Sequence, residues 1–162
     1  MLVSVGLMKK IYYCQSKISN NLGVCAYYGF KTGDHILNFG GDIVYDGDDA
    51  DWEHSLEIGR KDNKRIYLGP SGSIDDYVNH SCNPNCAVKI NPITAKAILY
   101  AIKEIVPGEE LTFDYSSTCT EDDYEMKCNC RSHNCRGIIS SFNKLSEKDK
   151  ERLKKLGTYP NW

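Results

Sequence analysis

The sequence predicts a mostly β fold that ends in one short helix, and three observations carry that expectation. From Ile11 to Ile102, apolar residues alternate with polar ones in short runs, with Gly, Asn, Asp or Pro between them. Many short strands separated by turn signals argue for a β-rich architecture. Helical signals gather only near the end, between Ser146 and Pro160. A chain of 162 residues also suits one domain, with a core large enough to need no disulfides.

The opening, Met1 to Met8, is apolar, but Lys9 and Lys10 follow it rather than precede it. It is too short for a membrane span and in the wrong order for a signal peptide, so it reads as a first strand or an added remnant. Ile11-Tyr12-Tyr13-Cys14 reads as a strand, Ser19-Asn20-Asn21 as a turn, and Gly23-Val24-Cys25-Ala26-Tyr27-Tyr28 as the next strand. Cys14 and Cys25 lie in apolar runs, where a thiol serves as a small hydrophobe. Lys31-Thr32-Gly33-Asp34 turns into His35-Ile36-Leu37-Asn38-Phe39, and Gly40-Gly41 marks a bulge or tight turn.

Asp42, Asp46, Asp48, Asp49, Asp51 and Glu53, with Glu57 beyond them, form an acidic run. Such a run reads first as a solvated loop, and in its functional reading as an attractor of basic peptides. Ser55-Leu56-Glu57-Ile58 and Arg65-Ile66-Tyr67-Leu68 alternate around Lys61-Asp62-Asn63-Lys64 as a hairpin should. Ala87-Val88-Lys89-Ile90 reads as a strand and Lys96 to Ile102 as a central one. Pro107-Gly108 then turns into a strand carrying Leu111 and Phe113. Ser146-Glu147-Lys148-Asp149 resembles a capping box with Asp in place of Glu. Leu153 and Leu156 share a face, Gly157 offers a stop and Pro160 follows, which describes a surface helix without chemistry.

Composition narrows the function classes. A net charge of −2 gives no basic field for nucleic acid, so no direct nucleic-acid binding is expected. No other stretch approaches transmembrane length, so the expected setting is intracellular, in nucleus or cytoplasm. A leaderless secreted effector fits the same sequence. Eight cysteines without a signal peptide suggest metal binding before a disulfide framework.

Two stretches carry the chemistry. Asn79-His80-Ser81-Cys82-Asn83-Pro84-Asn85 is too polar and turn-rich for a core strand and puts an amide, an imidazole, a hydroxyl and a thiol into one packed loop. Glu109-Glu110-Leu111-Thr112-Phe113-Asp114-Tyr115 ends a strand on a phenol. Together, in this order and separation, they resemble the SET-domain family of protein-lysine methyltransferases, over about Lys10 to Ile139. The resemblance implies a β-rich fold of several small sheets in which these two segments cross in a knotted active site. It also implies a division into a SET domain at 1–115, an acidic connector and post-SET zinc segment at 116–140, and a tail with a short helix at 141–162.

Cys128-x-Cys130-x4-Cys135 supplies three thiolates, one short of a tetrahedral structural zinc site. His133 could be the fourth only if a tight loop folded back on itself. Cys82 is the better fourth ligand, and the resemblance implies the set Cys82, Cys128, Cys130 and Cys135 on one zinc ion. The metal would staple the tail over the Asn79 loop.

The resemblance further implies S-adenosylmethionine as cofactor, held by Asn79, His80, Ile139 and a turn before the second strand, Asn21-Leu22-Gly23. Asn replaces the first glycine of that turn, and Asn tolerates positive φ. Tyr115 takes the catalytic position; taken alone it would read as a core tyrosine. Phe113 lies two residues earlier, on the same strand face, and so lines the same channel. A Phe there implies di- or trimethylation. Two positions depart from the family: Asn38-Phe39 stands where Glu-Tyr is common, and Asp76 where many members have Arg, so no positive contact to the cofactor carboxylate is identified.

The expected function is therefore S-adenosylmethionine-dependent lysine N-methylation of a protein, a histone tail or another basic segment. A non-catalytic SET-like binding module is the alternative, separable by cofactor binding. A thiol redox protein is a third class, and it would need a reactive cysteine of low pKa.

Overall fold

The computed structural model describes residues 10–19, 21–50 and 52–160. The apolar opening Met1 to Met8, Asn20 of the first turn and Asp51 of the acidic run lie outside the described residues. In chain order the described strands are β1 (Ile11–Gln15), β2 (Leu22–Ala26), β3 (His35–Phe39), β4 (Ile43–Tyr45), β5 (Leu56–Lys61), β6 (Lys64–Leu68), β7 (Asn79–His80), β8 (Cys86–Asn91), β9 (Lys96–Ala101), β10 (Thr112–Phe113), β11 (Glu125–Lys127) and β12 (Ile138–Ser140). One α-helix, α1 (Glu147–Lys155), follows.

The strands make several small sheets rather than one large one, as expected. β1 and β2 form an antiparallel hairpin, β4-β6-β5 and β3-β9-β8 are three-stranded, and β11 pairs with β12. β9 is central in its sheet because Ala97, Leu99 and Ala101 all point into the core and are at most 1% exposed. Val24, Ile58, Val88, Ile105 and Leu111 pack in the same core. The β5–β6 turn places Asp62 and Asn63 at φ 50° and 62°, the left-handed pair of a two-residue hairpin loop. Gly41 has φ 105°, and a Cβ there would lie 1.9 Å from the Gly69 carbonyl oxygen, so this crossing requires glycine.

Three expectations are corrected. Cys14 and Cys25 are not free apolar thiols; they form a disulfide across the β1–β2 hairpin. Asn79 and His80 are not purely loop; they form β7, which lies parallel to β10 with Asn79 opposite Thr112 and His80 opposite Phe113. The backbone pairing satisfies polar groups that a buried loop would leave without partners. Finally, Gly23 is not part of a turn; it lies within β2 and adopts ordinary strand geometry.

The tail helix is built as its sequence suggests. The Ser146 hydroxyl accepts from the Asp149 N–H at 3.2 Å and donates to the Asp149 carboxylate at 2.7 Å. Gly157 has φ 67°, and its N–H and that of Thr158 bond back to Lys154 and Leu153. Leu153 is wholly buried and anchors the helix.

Candidate active site and metal centre

The parallel pairing of β7 with β10 brings the two chemical stretches together. After Phe113 the strand stops, and Asp114 caps a 3-10 turn, Tyr115–Thr118, by accepting from the Ser116 N–H. Phe113 and Tyr115 therefore do not share a strand face as expected. The turn nevertheless returns the Tyr115 ring beside Phe113, with centroids 4.9 Å apart and planes tilted by 45°. Tyr115 is fixed at both ends: its N–H donates to His80 Nδ1 at 3.1 Å, and its hydroxyl donates to the Val78 carbonyl at 2.8 Å. Burial raises its pKa, with Tyr124 and Glu110 adding to the shift, so the phenol stays protonated. With that proton committed to Val78, the oxygen keeps its lone pairs for another donor.

Phe113 and Tyr115 line a cleft of about 510 Å³. Phe39 completes the aromatic wall, edge-on to Phe113 at 5.9 Å. Trp52, Tyr67 and Tyr124 line it further, Trp52 meeting Tyr67 edge-on at 5.1 Å. The remaining walls are acidic: Asp46, Asp48, Glu53, Glu57, Asp75, Asp76 and Glu121 line the cleft, and among the described residues no Lys or Arg does. Part of this charge has structural duties. Asp75 and Asp76 accept from Gly40 N–H, Ser71 and the Gly72 N–H, holding the turn before β7. Asp46 accepts from Arg65 and Tyr67, and Glu57 from the Thr120 N–H. Asp42 and Asp49 do not line the cleft, so the acidic run is only partly turned toward it. Sequence reasoning missed Trp52, Tyr67 and Tyr124; only their aromatic character beside acidic residues could have flagged them.

On the β1–β2 side, Asn79 Nδ2 donates to the Leu22 carbonyl at 3.1 Å and to Glu110 Oε1 at 2.9 Å. Glu110 also accepts from the Ser16 hydroxyl at 2.7 Å and the Lys17 N–H at 3.0 Å. A Cβ on Gly23 would sit 2.5 Å from Glu110 Oε1 and 3.1 Å from Asn79 Nδ2. Gly23 is thus constrained by a close approach, since a Cβ there would displace the Glu110 carboxylate from its partners, and not by a turn. Leu22, Gly23 and Asn79 meet here with Glu110, which was not among the expected site residues. The Asn21 carbonyl accepts from the Ser16 N–H beside them, and the His80 ring instead meets Cys82 and the Tyr115 N–H. Ile139 stands apart from that group, packed with Cys82, Cys128 and Cys130. Ile18 of the β1–β2 turn and Tyr115 pack against the same cluster, which makes the hairpin, the cysteines and the phenol contiguous.

The cysteine cluster differs in one member from the predicted set. His80, Cys82, Cys128 and Cys130 have their ligating atoms all within 4.8 Å of one another, whereas Cys135 is more exposed and lies against Cys128. Cys82 Sγ and Cys128 Sγ are 3.7 Å apart. A tetrahedron with Zn–S bonds of ~2.3 Å has an edge of ~3.8 Å, so the sulfurs fit zinc. The N–H groups of Arg136, Cys82 and Gly137 point at Cys82, Cys130 and Cys135 sulfurs at 3.4 to 3.5 Å, as thiolates require. Burial raises the Cys130 pKa, but hydrogen bonds from Ser132 and the Cys82 backbone outweigh it and bring it to about 6. Burial pushes Cys82 up to about 11 and raises Cys128, so both are thiols until a cation replaces their protons. His80 is an N–H donor to this cluster. Its Nδ1 accepts from Tyr115, so Nε2 carries the hydrogen and donates to Cys82 Sγ at 3.3 Å. Burial lowers its pKa to about 4, against the pull of Asp114, so the ring is neutral.

Asp114, between Phe113 and Tyr115, is 2% exposed. Arg136, one residue after Cys135, grips it with two bonds of 2.7 Å. Burial raises the Asp114 pKa, but Arg136, with the neighbouring His80 and Arg152, holds it below the usual carboxylate range.

A family model described as the SET domain matches residues 21–116. The chain is 32% identical over 130 residues to a probable histone-lysine N-methyltransferase, set-23, of Caenorhabditis briggsae, covering 77% of this chain and 54% of that protein. It is 29% identical over 136 residues to the histone-lysine N-methyltransferase trr of Drosophila melanogaster, covering 78% of this chain and 6% of that one. In structure it is similar to KRYPTONITE, solved in complex with mCHG DNA and SAH, with a TM-score of 0.66 at 23% identity, over 82% of this chain and 29% of that one. The chain spans about half the length of the first of these relatives and far less of the others.

Proposed function

The chain belongs to the SET-domain family, and from that premise we propose that it is an S-adenosylmethionine-dependent protein-lysine N-methyltransferase acting on a basic segment such as a histone tail. One observation carries the reading: a cleft with Phe39, Phe113 and Tyr115 in its wall, carboxylates around them, and no Lys or Arg in its lining among the described residues. A lysine ammonium has a reference pKa of ~10.4, so releasing its proton at neutral pH costs about 4–5 kcal/mol. The carboxylates draw the cation in through long-range attraction. The aromatic wall then disfavours the charged form by burial. The Tyr115 oxygen accepts an N–H from the amine and orients its lone pair, and such positioning is worth ~7–11 kcal/mol.

When bound, S-adenosylmethionine supplies a methyl group on a sulfonium. Asn21, Leu22, Gly23, Asn79, His80 and Ile139 would hold it, and the Gly23 cradle, which any Cβ would fill, supports the fit. Cys82, Cys128, Cys130 and Cys135 would hold one structural zinc, with His80 donating to the Cys82 sulfur. The zinc would tie the segment carrying Ile139 and Arg136 to the Asn79 loop. Neither Phe39 nor Phe113 carries a hydroxyl toward the channel, which supports di- and trimethylation. A nuclear or cytoplasmic site of action suits this chemistry. The Cys14–Cys25 disulfide is the one feature that suits a secreted effector instead.

Calorimetry with S-adenosylmethionine, followed by transfer of labelled methyl groups to a peptide array, tests the reading. Binding, transfer to lysine and a large loss of transfer in Tyr115→Phe are expected. A chain that binds peptide but no cofactor would be a binding module, and the reading would fall.

A further inference from the structure

We propose that Arg152, on the tail helix α1, is a positioning residue for Tyr115, acting through Asp114; the inference rests on the methyltransferase reading for what Tyr115 does. The sequence gives α1 no role beyond covering surface, and the SET-domain match ends at residue 116, well before it. Yet Arg152 Nη2 donates to Asp114 Oδ2 at 3.0 Å, across 38 residues. A carboxylate has about four acceptor positions, two per oxygen. Here all four are used. Oδ1 accepts from Arg136 Nη2 at 2.7 Å and from the Ser116 N–H at 3.2 Å. Oδ2 accepts from Arg136 Nη1 at 2.7 Å and from Arg152. Arg152 is therefore the fourth donor to a buried anion that caps the turn opening at Tyr115.

The contact is a built one. Asp114 is 2% exposed and Leu153, the next residue on α1, is fully buried. The end of the helix is tied down separately, where the Tyr100 hydroxyl donates to the Leu156 carbonyl at 3.0 Å. Arg152 stands 3.8 Å from Asp149 of the first helical turn, which steadies it. Without Arg152, one acceptor position of a buried carboxylate faces no donor, and a buried acceptor without a partner is costly. Asp114 relieves this by shifting toward other donors. It cannot shift alone, because it caps the turn in which the Tyr115 N–H meets His80. Small displacements of the Tyr115 oxygen cost rate steeply, since positioning is where this site draws its rate.

The test compares Arg152→Ala, Arg152→Lys and the exposed control Lys154→Ala in the zinc-loaded chain, assayed well below each variant's unfolding temperature. Arg152→Ala should lower kcat for methyl transfer about tenfold with KM for peptide within about twofold. Arg152→Lys should recover at least part of that loss, and Lys154→Ala should lose nothing. The Tyr115 amide resonance should move in Arg152→Ala, whereas the Ala97 amide of β9 should not. An unchanged kcat, or an unmoved Tyr115 amide, overturns the proposal. So does a loss confined to KM, or equal losses in the Ala and Lys variants. If the parent chain transfers no methyl group, the methyltransferase reading falls, and the Tyr115 amide still decides whether Arg152 sets the position of that residue.

Discussion

Phe113→Tyr tests the channel most directly. Phe113 is 5% exposed, and its ring meets Phe39 at 5.9 Å and Tyr115 at 4.9 Å. A hydroxyl added at the ring enters a wall beside the Tyr115 phenol, which already donates to Val78. The new hydroxyl and the Tyr115 oxygen can together hold one water, with each bond worth about 0.5–1.5 kcal/mol net. A methylated amine would have to displace that water, at a cost of about 1–3 kcal/mol. At 1.36 kcal/mol per tenfold, this slows the second transfer ~5- to 150-fold and leaves the first nearly unchanged. In the parent chain the same space is bounded by two phenyl rings, and giving up a poorly held water to a methyl group is neutral or favourable. Mass spectrometry of a methylated peptide over time reads both rates. Di- or trimethyl-lysine is expected from the parent, and mostly monomethyl-lysine from Phe113→Tyr. If the parent makes only monomethyl-lysine at long times with excess cofactor, the reasoning is refuted. A variant that loses stability at unchanged product ratios would mean that Phe113 only packs the core.

Elemental analysis should find about one zinc per chain, and Cys82→Ser or Cys128→Ser should lose it together with cofactor binding; removal should cost on the order of 10 kcal/mol of folding free energy and expose the thiols to alkylation. Full activity without metal would end that idea. Binding of a basic peptide should weaken clearly as salt rises, because the screening length falls from ~10 Å at 0.1 M to ~3 Å at 1 M. Glu121→Gln should weaken it at low salt only, and salt-independent binding would return the acidic run to a solvated loop. Reducing the Cys14–Cys25 disulfide should lower stability by about 3 kcal/mol, the chain-entropy value for a loop closed over 11 residues. Urea titration with and without reductant measures it, and an unchanged midpoint would mean that the hairpin does not depend on the bond.

The parts of the fold that follow local rules were legible. Alternation located β3, β5, β6, β8 and β9, and the Lys61-Asp62-Asn63-Lys64 turn located a hairpin, because these depend on neighbours in sequence. β7 was not legible, since its two residues are strand only by pairing with β10, a long-range event that polar residues do not advertise. The disulfide was hidden for a similar reason. Cys14 and Cys25 read as apolar residues until β1 and β2 are set side by side, when they fall two residues off direct opposition, on a diagonal of one face, with Cys14 opposite Gly23 and Tyr12 opposite Cys25. Gly23 was noticed for the wrong reason. The family's glycine turn implied a turn at Asn21-Leu22-Gly23, whereas the constraint comes from Glu110, 87 positions away, whose carboxylate occupies the space of a Cβ.

The cleft was the least legible part, because its aromatic residues come from segments that share no motif. Phe39 registered only as a departure from the family's Tyr, yet its edge-on contact with Phe113 makes it a second position where a hydroxyl is missing. On the proposed di- and trimethylation reading, that would give the departure a physical meaning: with both hydroxyls missing, neither ring could hold a water in the space a second methyl group needs. The supports of Tyr115 have the same distributed origin. Val78 and His80 lie within the SET-domain match, but Arg136 and Arg152, which fix Asp114, lie beyond residue 116. A chain cut at the end of the matched region would keep every residue of the two motifs. It would lose both guanidiniums that fix Asp114, and with them the hydrogen bonds that hold the carboxylate capping the turn that carries the phenol.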